Sequence, residues 1–209
     1  VGLLVVIATP AQYLSAAIAS VALFFLLAGS AELVLGIGFG APMKHAVAGL
    51  LHLAFHPRPE RFSGVRSTAL KPLELEKMEL GVDAPADFRW NQLLSFDACV
   101  QCGKCEQSCP AFAAGQPLNP KKLIQDLVCG LSGTSDANYA GRPYPGIAIG
   151  AHSGALDNPI VPQLIEPATL WSCTTCRACV EECPMLIEHV DAIVGMRRSL
   201  NLTRGEIPG

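Results

Sequence analysis

Eight of the nine cysteines fall in two short runs, "ACVQCGKCEQSCP" at residues 98–110 and "SCTTCRACVEECP" at 172–184. Both read C-x2-C-x2-C-x3-C-P: Cys99, Cys102, Cys105 and Cys109 stand ahead of Pro110, and Cys173, Cys176, Cys179 and Cys183 ahead of Pro184. Three cysteines at this interval let one tight loop grip a 4Fe–4S cubane. Where a protein carries two such clusters, the fourth cysteine points away and ligates the other one. The spacing therefore predicts two 4Fe–4S clusters with exchanged ligands: Cys99, Cys102, Cys105 and Cys183 on cluster 1, and Cys173, Cys176, Cys179 and Cys109 on cluster 2. The exchange would draw two distant segments together and bring the clusters within electron-hopping range of each other.

Zinc and disulfides are the competing readings. Structural zinc takes its ligands as two separated pairs around a tetrahedron, not as a doubled triple followed by C-P. A secreted disulfide scaffold would be smaller and less regular in its spacing. Cys129, in "LIQDLVCGL", reads as a small buried apolar residue and not as a ligand. Lys104 and Arg177 lie inside the ligand loops, where a positive charge could raise a cluster's potential, but solvated surface residues are the plainer expectation. No acid–base or nucleophile constellation stands out, so no catalytic residue is assigned. A Gly-rich phosphate loop is also missing, which argues against a nucleotide or flavin bound by this chain itself.

The elements that must position these thiols are unevenly composed. Among the 209 residues the formal net charge is −3, and there is no basic field to attract nucleic acid. No charged residue occurs from Val1 to Ala31, whereas charges are scattered through everything after Arg58. The chain opens on Val in apolar sequence with no basic segment ahead of it, so it reads as part of a longer chain and not as a signal peptide.

Thr9 is placed to cap a helix that Pro10 opens, and the glycines at 36, 38 and 40 are placed to end it. Residues 10–35 would give about 39 Å of helix, ample for a hydrocarbon core of about 30 Å. Glu32 falls near one end, within reach of the interface. Residues 1–41 are thus expected to be a transmembrane segment, with 1–8 closing an earlier apolar stretch. A second helix over 42–57, opened by Pro42 and closed by Pro57 and Pro59, is short for a span. Met43, Val47, Leu50, Leu51 and Ala54 fall on one face, and His45, His52 and His56 on another, which predicts an amphipathic helix lying in the membrane surface. A bis-histidine haem would need imidazoles facing each other across two spans, and only one complete span is visible. Lys44, Arg58, Arg61, Arg66 and Lys71 oppose the single acid Glu60, which places this side in the cytoplasm of a bacterial inner membrane.

Beyond a linker at 58–90, the cluster domain is expected at 91–200, with 201–209 as a tail. Asn119 and Pro120 signal a helix start, and Leu123, Ile124, Leu127, Val128 and Leu131 form its apolar stripe. Ile187, Val190, Ile193 and Val194 repeat the arrangement after Cys183, and His189 there reads as a satisfied or exposed residue. Residues 132–165 form a long Gly/Pro/Asn-rich connection, of a length that usually wraps a domain or docks a partner. Strand-like alternation is weak. The fold class expected is mainly α: membrane-associated apolar helices followed by an α-helical ferredoxin module with two 4Fe–4S clusters.

"FDACVQCGKCEQSCPAFAAGQPLNPKKLIQDL" and "LWSCTTCRACVEECPMLIEHVDAIVGMRR" resemble the helical dicluster module of heterodisulfide reductase C-like proteins and of glycolate oxidase and succinate dehydrogenase iron–sulfur subunits. "PMKHAVAGLLHLAFHPRPERFSGVRSTALKPLELE", followed by "DFRWNQLLSFDACVQCGKC", is similar to the membrane-associated iron–sulfur subunit of bacterial dimethylglycine catabolism and related N-methyl amino acid demethylases. The likeness runs from about residue 30 onward. It implies a flavin-dependent demethylase subunit and an electron-transfer flavoprotein as partners, and it matches all eight ligand positions with cysteine. Members of that family continue into C-terminal cysteine-rich domains, whereas this chain stops at "TRGEIPG".

Three functions compete on these residues. The first is an electron-transfer subunit tethered in membrane lipid, passing electrons from a flavoenzyme to a flavoprotein or membrane quinone. The second is an anchor whose metal sites are structural. The third is a heterodisulfide reductase-like or glycolate oxidase-type subunit with its own substrate site, for which the sequence offers no residues. Two adjacent cubanes exceed what a scaffold needs, and the first reading is preferred.

Overall fold

A computed structural model describes residues 11–38, 43–55, 70, 73, 75–77, 80–132, 157 and 159–206. The expected Thr9 cap, His56, the prolines and basic residues between 57 and 69, Lys71, most of the 132–165 connection, and the side chains of Met43, Lys44 and Cys129 lie outside the described residues. All regular structure among the described residues is helical, and the chain divides into two units, Val1–Met43 and Lys44–Gly209.

In the first unit, α1 (Ala11–Gly38) is one uninterrupted helix. It is apolar on every side, and none of the 21-residue stretch Ser15–Leu35 is buried against protein. That is the signature of a helix whose solvent is hydrocarbon. Its hydroxyls are kept from exposing free donors: Ser20 Oγ donates to the Ala16 carbonyl at 2.9 Å and Ser30 Oγ to the Leu26 carbonyl at 2.7 Å. The helix runs through Gly36, one turn farther than the glycine punctuation suggests, because a single glycine costs only about 1 kcal/mol in a helix.

The second unit opens with α2 (Met43–Phe55). Its buried stripe is His45, Ala48, Gly49 and His52, and the exposed residues are Ala46, Leu50, Leu51, Leu53, Ala54 and Phe55. This reverses the expected assignment of faces. The histidines point into the domain, where the His45 Nδ1–H donates to the Asp97 carbonyl, and the apolar residues point out.

Seven further helices follow: α3 (Trp90–Asp97), α4 (Lys104–Gln107), α5 (Pro110–Ala113), α6 (Pro120–Ser132), α7 (Pro167–Trp171), α8 (Ala178–Glu181) and α9 (His189–Arg198), which continues as a π turn through Thr203. The Asn119 side-chain oxygen accepts the Lys122 N–H at 3.0 Å, with Pro120 in the first turn, so α6 starts as its sequence signals. Leu123, Ile124, Leu127 and Val128 from α6 meet Phe96, Leu170, Ile187, Ile193 and Met196 in one core. Each such side chain contributes about 1.5–3 kcal/mol on burial. Phe88 and Phe96 pack edge to face at 5.1 Å.

Two expected boundaries shift. Residues 80–90, read as linker, pack onto the domain: Val82 is buried and its N–H donates to the Gly195 carbonyl at 2.9 Å, and Ile160 N–H donates to the Asp83 carbonyl at 2.8 Å. Arg204, read as tail, donates to Asp83 Oδ1 at 2.5 Å and to the Val161 carbonyl at 2.8 Å. Both segments look polar and punctuated in sequence. They are held by backbone hydrogen bonds that no hydrophobic period reveals.

Candidate metal centre

The two cysteine runs fold as copies of one another. In each loop the residues before and after the second cysteine take positive φ: Gln101 (54°) and Gly103 (80°) in the first, Thr175 (56°) and Arg177 (65°) in the second. Left-handed backbone at both positions turns the chain tightly enough to aim the first three thiols inward. A short helix then carries the third cysteine of each run, α4 for Cys105 and α8 for Cys179, and these two helices pack together.

The thiols gather in two groups. Cys99 and Cys105 lie within electrostatic reach of each other, of Cys102 and of Cys183, the last coming from the other run. Cys173 and Cys179 are placed in the same way with respect to Cys176 and to Cys109. Cys105 also feels Cys179, so the two groups adjoin. A cleft of about 320 Å³, open to solvent on one side, is lined by Cys109, Cys173, Cys176 and Cys179 with Leu118 and Val190 among its apolar walls.

Burial dominates the electrostatics of both groups. It pushes the Cys99 thiol up to about 11, with Cys183 and Cys102 adding to the rise and the Gln101 backbone and Gln125 side chain opposing it. Cys179 is pushed up to about 12 by burial and then by Cys173, Cys109 and Cys176. Cys105 and Cys173 rise for the same two reasons. Partly buried thiols that resist ionising next to one another are stabilised as thiolates only by a polycation between them, which is what iron supplies. Among the described residues, no three His, Cys, Asp or Glu side chains converge on a single metal ion. The thiols surround a space and not a point, which suits a polynuclear group better than mononuclear zinc. The donor set fits two 4Fe–4S clusters.

The surroundings hold residues whose roles the sequence did not reveal. Arg177 is not a solvated surface residue: its guanidinium bridges Glu188 (2.5 Å) and Asp191 (3.2 Å), both buried. Lys104 is exposed, as expected. Around the first loop, Glu106 takes the Lys121 ammonium at 2.8 Å and the Asn119 amide at 2.9 Å. Arg197 donates to the Leu170 carbonyl at 2.5 Å and to the Cys173 carbonyl at 2.6 Å, and lies 4.8 Å above the Trp171 ring. Nothing in the spacing marked it; an arginine at the end of an amphipathic helix reads as surface. His189 is buried, with its Nδ1–H donating to the Ile187 carbonyl at 3.0 Å, and is satisfied there.

Helical packing around two adjoining four-thiol groups defines an α-helical, two-cluster iron–sulfur domain, and residues 92–184 match the family model described as a 4Fe-4S dicluster domain. Residues 1–78 match a domain of unknown function, DUF3483. The chain is related to membrane-anchored ferredoxins and heterodisulfide reductase C-like iron–sulfur subunits. It is 65% identical over 87% of its length to a Chromohalobacter salexigens protein described as "Probable membrane-anchored ferredoxin", of which it covers 29%. It is 37% identical over 64% of its length to the "EtfAB:quinone oxidoreductase" of Syntrophomonas wolfei, covering 20% of that protein. With "Probable iron-sulfur-binding oxidoreductase FadF" of Bacillus subtilis it shares 36% identity over 78% of its length, covering 26% of that chain. The chain therefore spans less than a third of these curated relatives. No solved structure matches it.

Proposed function

We propose that these residues are the electron-transfer segment of a membrane-anchored oxidoreductase subunit. In this reading Cys99, Cys102, Cys105 and Cys183 hold cluster 1, and Cys109, Cys173, Cys176 and Cys179 hold cluster 2. The observation that carries it is the placement of Cys183 among the thiols of the first run and of Cys109 among those of the second. When bound, a 4Fe–4S cluster takes up and releases single electrons. The chain's own contribution is to hold the thiols in two adjoining cages, exclude water with the core of α6 and α9, and set local charge through Arg177 and Arg197. The helix α1 spans the bilayer in this reading, with the cluster domain on the cytoplasmic side of a bacterial inner membrane.

The Syntrophomonas relative's name links EtfAB to quinone, and the Chromohalobacter relative's name describes a membrane-anchored ferredoxin; both support transfer between a flavoprotein and a membrane quinone. The finer reading, that the electrons come from a flavin-dependent demethylase acting on dimethylglycine or a related N-methyl amino acid, rests on the resemblance of residues 42–110. Two electrons leave the oxidised N-methyl group, pass singly through the chain, and with two protons reduce quinone to quinol.

The test is anaerobic EPR on the full-length protein in its native membrane, before and after dimethylglycine, with iron counted per cluster domain. Reduced-cluster signals that appear with dimethylglycine and disappear on adding quinone are expected. Signals that respond to another reduced flavoprotein but not to dimethylglycine would remove the demethylase assignment. Metal that never changes oxidation state would leave an anchor with structural sites.

A further inference from the structure

The exposed side of α2 is built inside-out for a water-facing helix. From Ala46 to Phe55 every exposed side chain is apolar, with Leu50 71% and Phe55 66% exposed, while the polar residues His45 and His52 are turned inward. A helix surface of that composition requires an apolar neighbour.

Its inward face touches a particular place. His45 donates to the carbonyl of Asp97, two residues before Cys99. Met185, two residues after Cys183, packs so closely on the helix that a Cβ at Gly49 would lie 2.7 Å from its Cε. Both contacts therefore fall on segments that carry cluster 1 ligands, one from each cysteine run.

We propose that α2 lies in the interfacial layer of the lipid bilayer through Leu50, Leu51, Leu53 and Phe55, and thereby makes cluster 1 the membrane-adjacent centre, the one that delivers electrons to a lipid-soluble acceptor. The inference rests on the spanning reading of α1 and on the ligand assignment above. Lipid is the occupant for three reasons. Met43, where α2 begins, comes five residues after Gly38, the end of α1, and a chain of that length reaches at most about 18 Å. At 13 residues α2 is about 20 Å long, too short to cross and suited to lie in the plane. The basic residues Lys44, Arg58, Arg61, Arg66 and Lys71 flank it, and they favour an anionic headgroup layer.

The experiment uses the full-length protein in nanodiscs containing anionic lipid. A photoreactive benzoylphenylalanine replaces Leu50, Phe55 or, as a control, the exposed Trp90. Lipid adducts at least tenfold more abundant at 50 and 55 than at 90 are expected; adducts to protein at 50 and 55 would overturn the proposal. Independently, lipids carrying a paramagnetic chelate on the headgroup should speed EPR relaxation of the cluster left in Cys109→Ala several-fold more than that of the cluster left in Cys183→Ala. The reverse order would also overturn it. The photoreaction stands even where a cysteine variant fails to fold. Release of the protein from membranes by alkaline carbonate would sink the spanning reading of α1; retention with protein adducts at 50 and 55 would sink only the present inference.

Discussion

Arg177 and Asp191 form an ion pair at 3.2 Å that ties the second ligand loop to α9, with Asp191 1% exposed. The same guanidinium holds Glu188. Removing the arginine leaves two buried carboxylates facing each other, and breaking such a pair costs about 3–5 kcal/mol. Arg177→Gly separates this clamp from backbone strain. Glycine relieves the left-handed backbone at φ 65°, worth about 1 kcal/mol, yet loses both ion pairs. Net destabilisation and faster iron loss from cluster 2 are therefore expected from both Arg177→Gly and Arg177→Ala, read as a fall in melting temperature and as iron released to a chelator. A glycine variant as stable as the parent would mean the clamp contributes nothing.

The buried imidazole of His189 gives the domain an acid-sensitive limb. Burial lowers its pKa from 6.5 to about 4, against the opposing hydrogen bond to the Ile187 carbonyl. The unfolded chain therefore binds a proton between pH 6.5 and 4 that the folded chain refuses. The stability this neutral histidine contributes is complete above pH 6.5 and is lost as pH falls towards 4, by about 3 kcal/mol at one pKa unit per 1.36 kcal/mol. His189→Gln should be less stable at pH 7.5, by about 1 kcal/mol for the altered hydrogen bond. The gap to the parent should narrow or invert at pH 4.5. Comparing melting temperatures of variant and parent at each pH cancels acid-driven loss of iron, which both share. A gap independent of pH would place the proton elsewhere.

Ligand exchange between the runs is decided by pairs of substitutions. Cys102→Ala with Cys183→Ala removes two ligands of one cage if the exchange holds, so about four iron atoms should remain. Cys102→Ala with Cys109→Ala damages both cages, and little iron should remain. Were each run to supply all its own ligands, the two results would be transposed. Iron and sulfide analysis of the purified full-length variants separates the cases without any assay of turnover.

The thiols, α1, and the apolar stripes of α6 and α9 were legible because each depends on spacing within one segment. Three cysteines at fixed intervals, a run without charge, and Leu123, Ile124, Leu127 and Val128 on one face need no knowledge of what lies opposite. The orientation of α2 did depend on its neighbour. Amphipathicity assumes that apolar residues face protein, and the helix does the opposite because His45 finds a carbonyl at Asp97 and its leucines face outward. Arg177 and Arg197 escaped for the same reason: their partners lie 11 to 27 residues away, on helices whose packing the sequence does not display. Residues 80–90 look like a linker because they are attached by backbone bonds, which carry no side-chain signature.

Arg197 should separate the two clusters in potential. It donates to the Cys173 carbonyl and stacks on Trp171, and its charge lowers the cost of ionising Cys173, whose thiol burial pushes up. Reduction of a cluster adds negative charge, so a nearby partly desolvated cation favours the reduced state. Arg197→Gln removes that charge and should lower the potential of cluster 2. A loss of about 1.4 kcal/mol corresponds to about 59 mV for one electron. Cluster 1 should move little, and Arg197→Lys should recover part of the shift by restoring charge without the paired hydrogen bonds. An EPR-monitored redox titration reads both clusters in one sample. Equal shifts in Gln and Lys variants would assign the effect to lost packing on Trp171, and an unchanged potential in both would remove Arg197 from the electrostatics of the site.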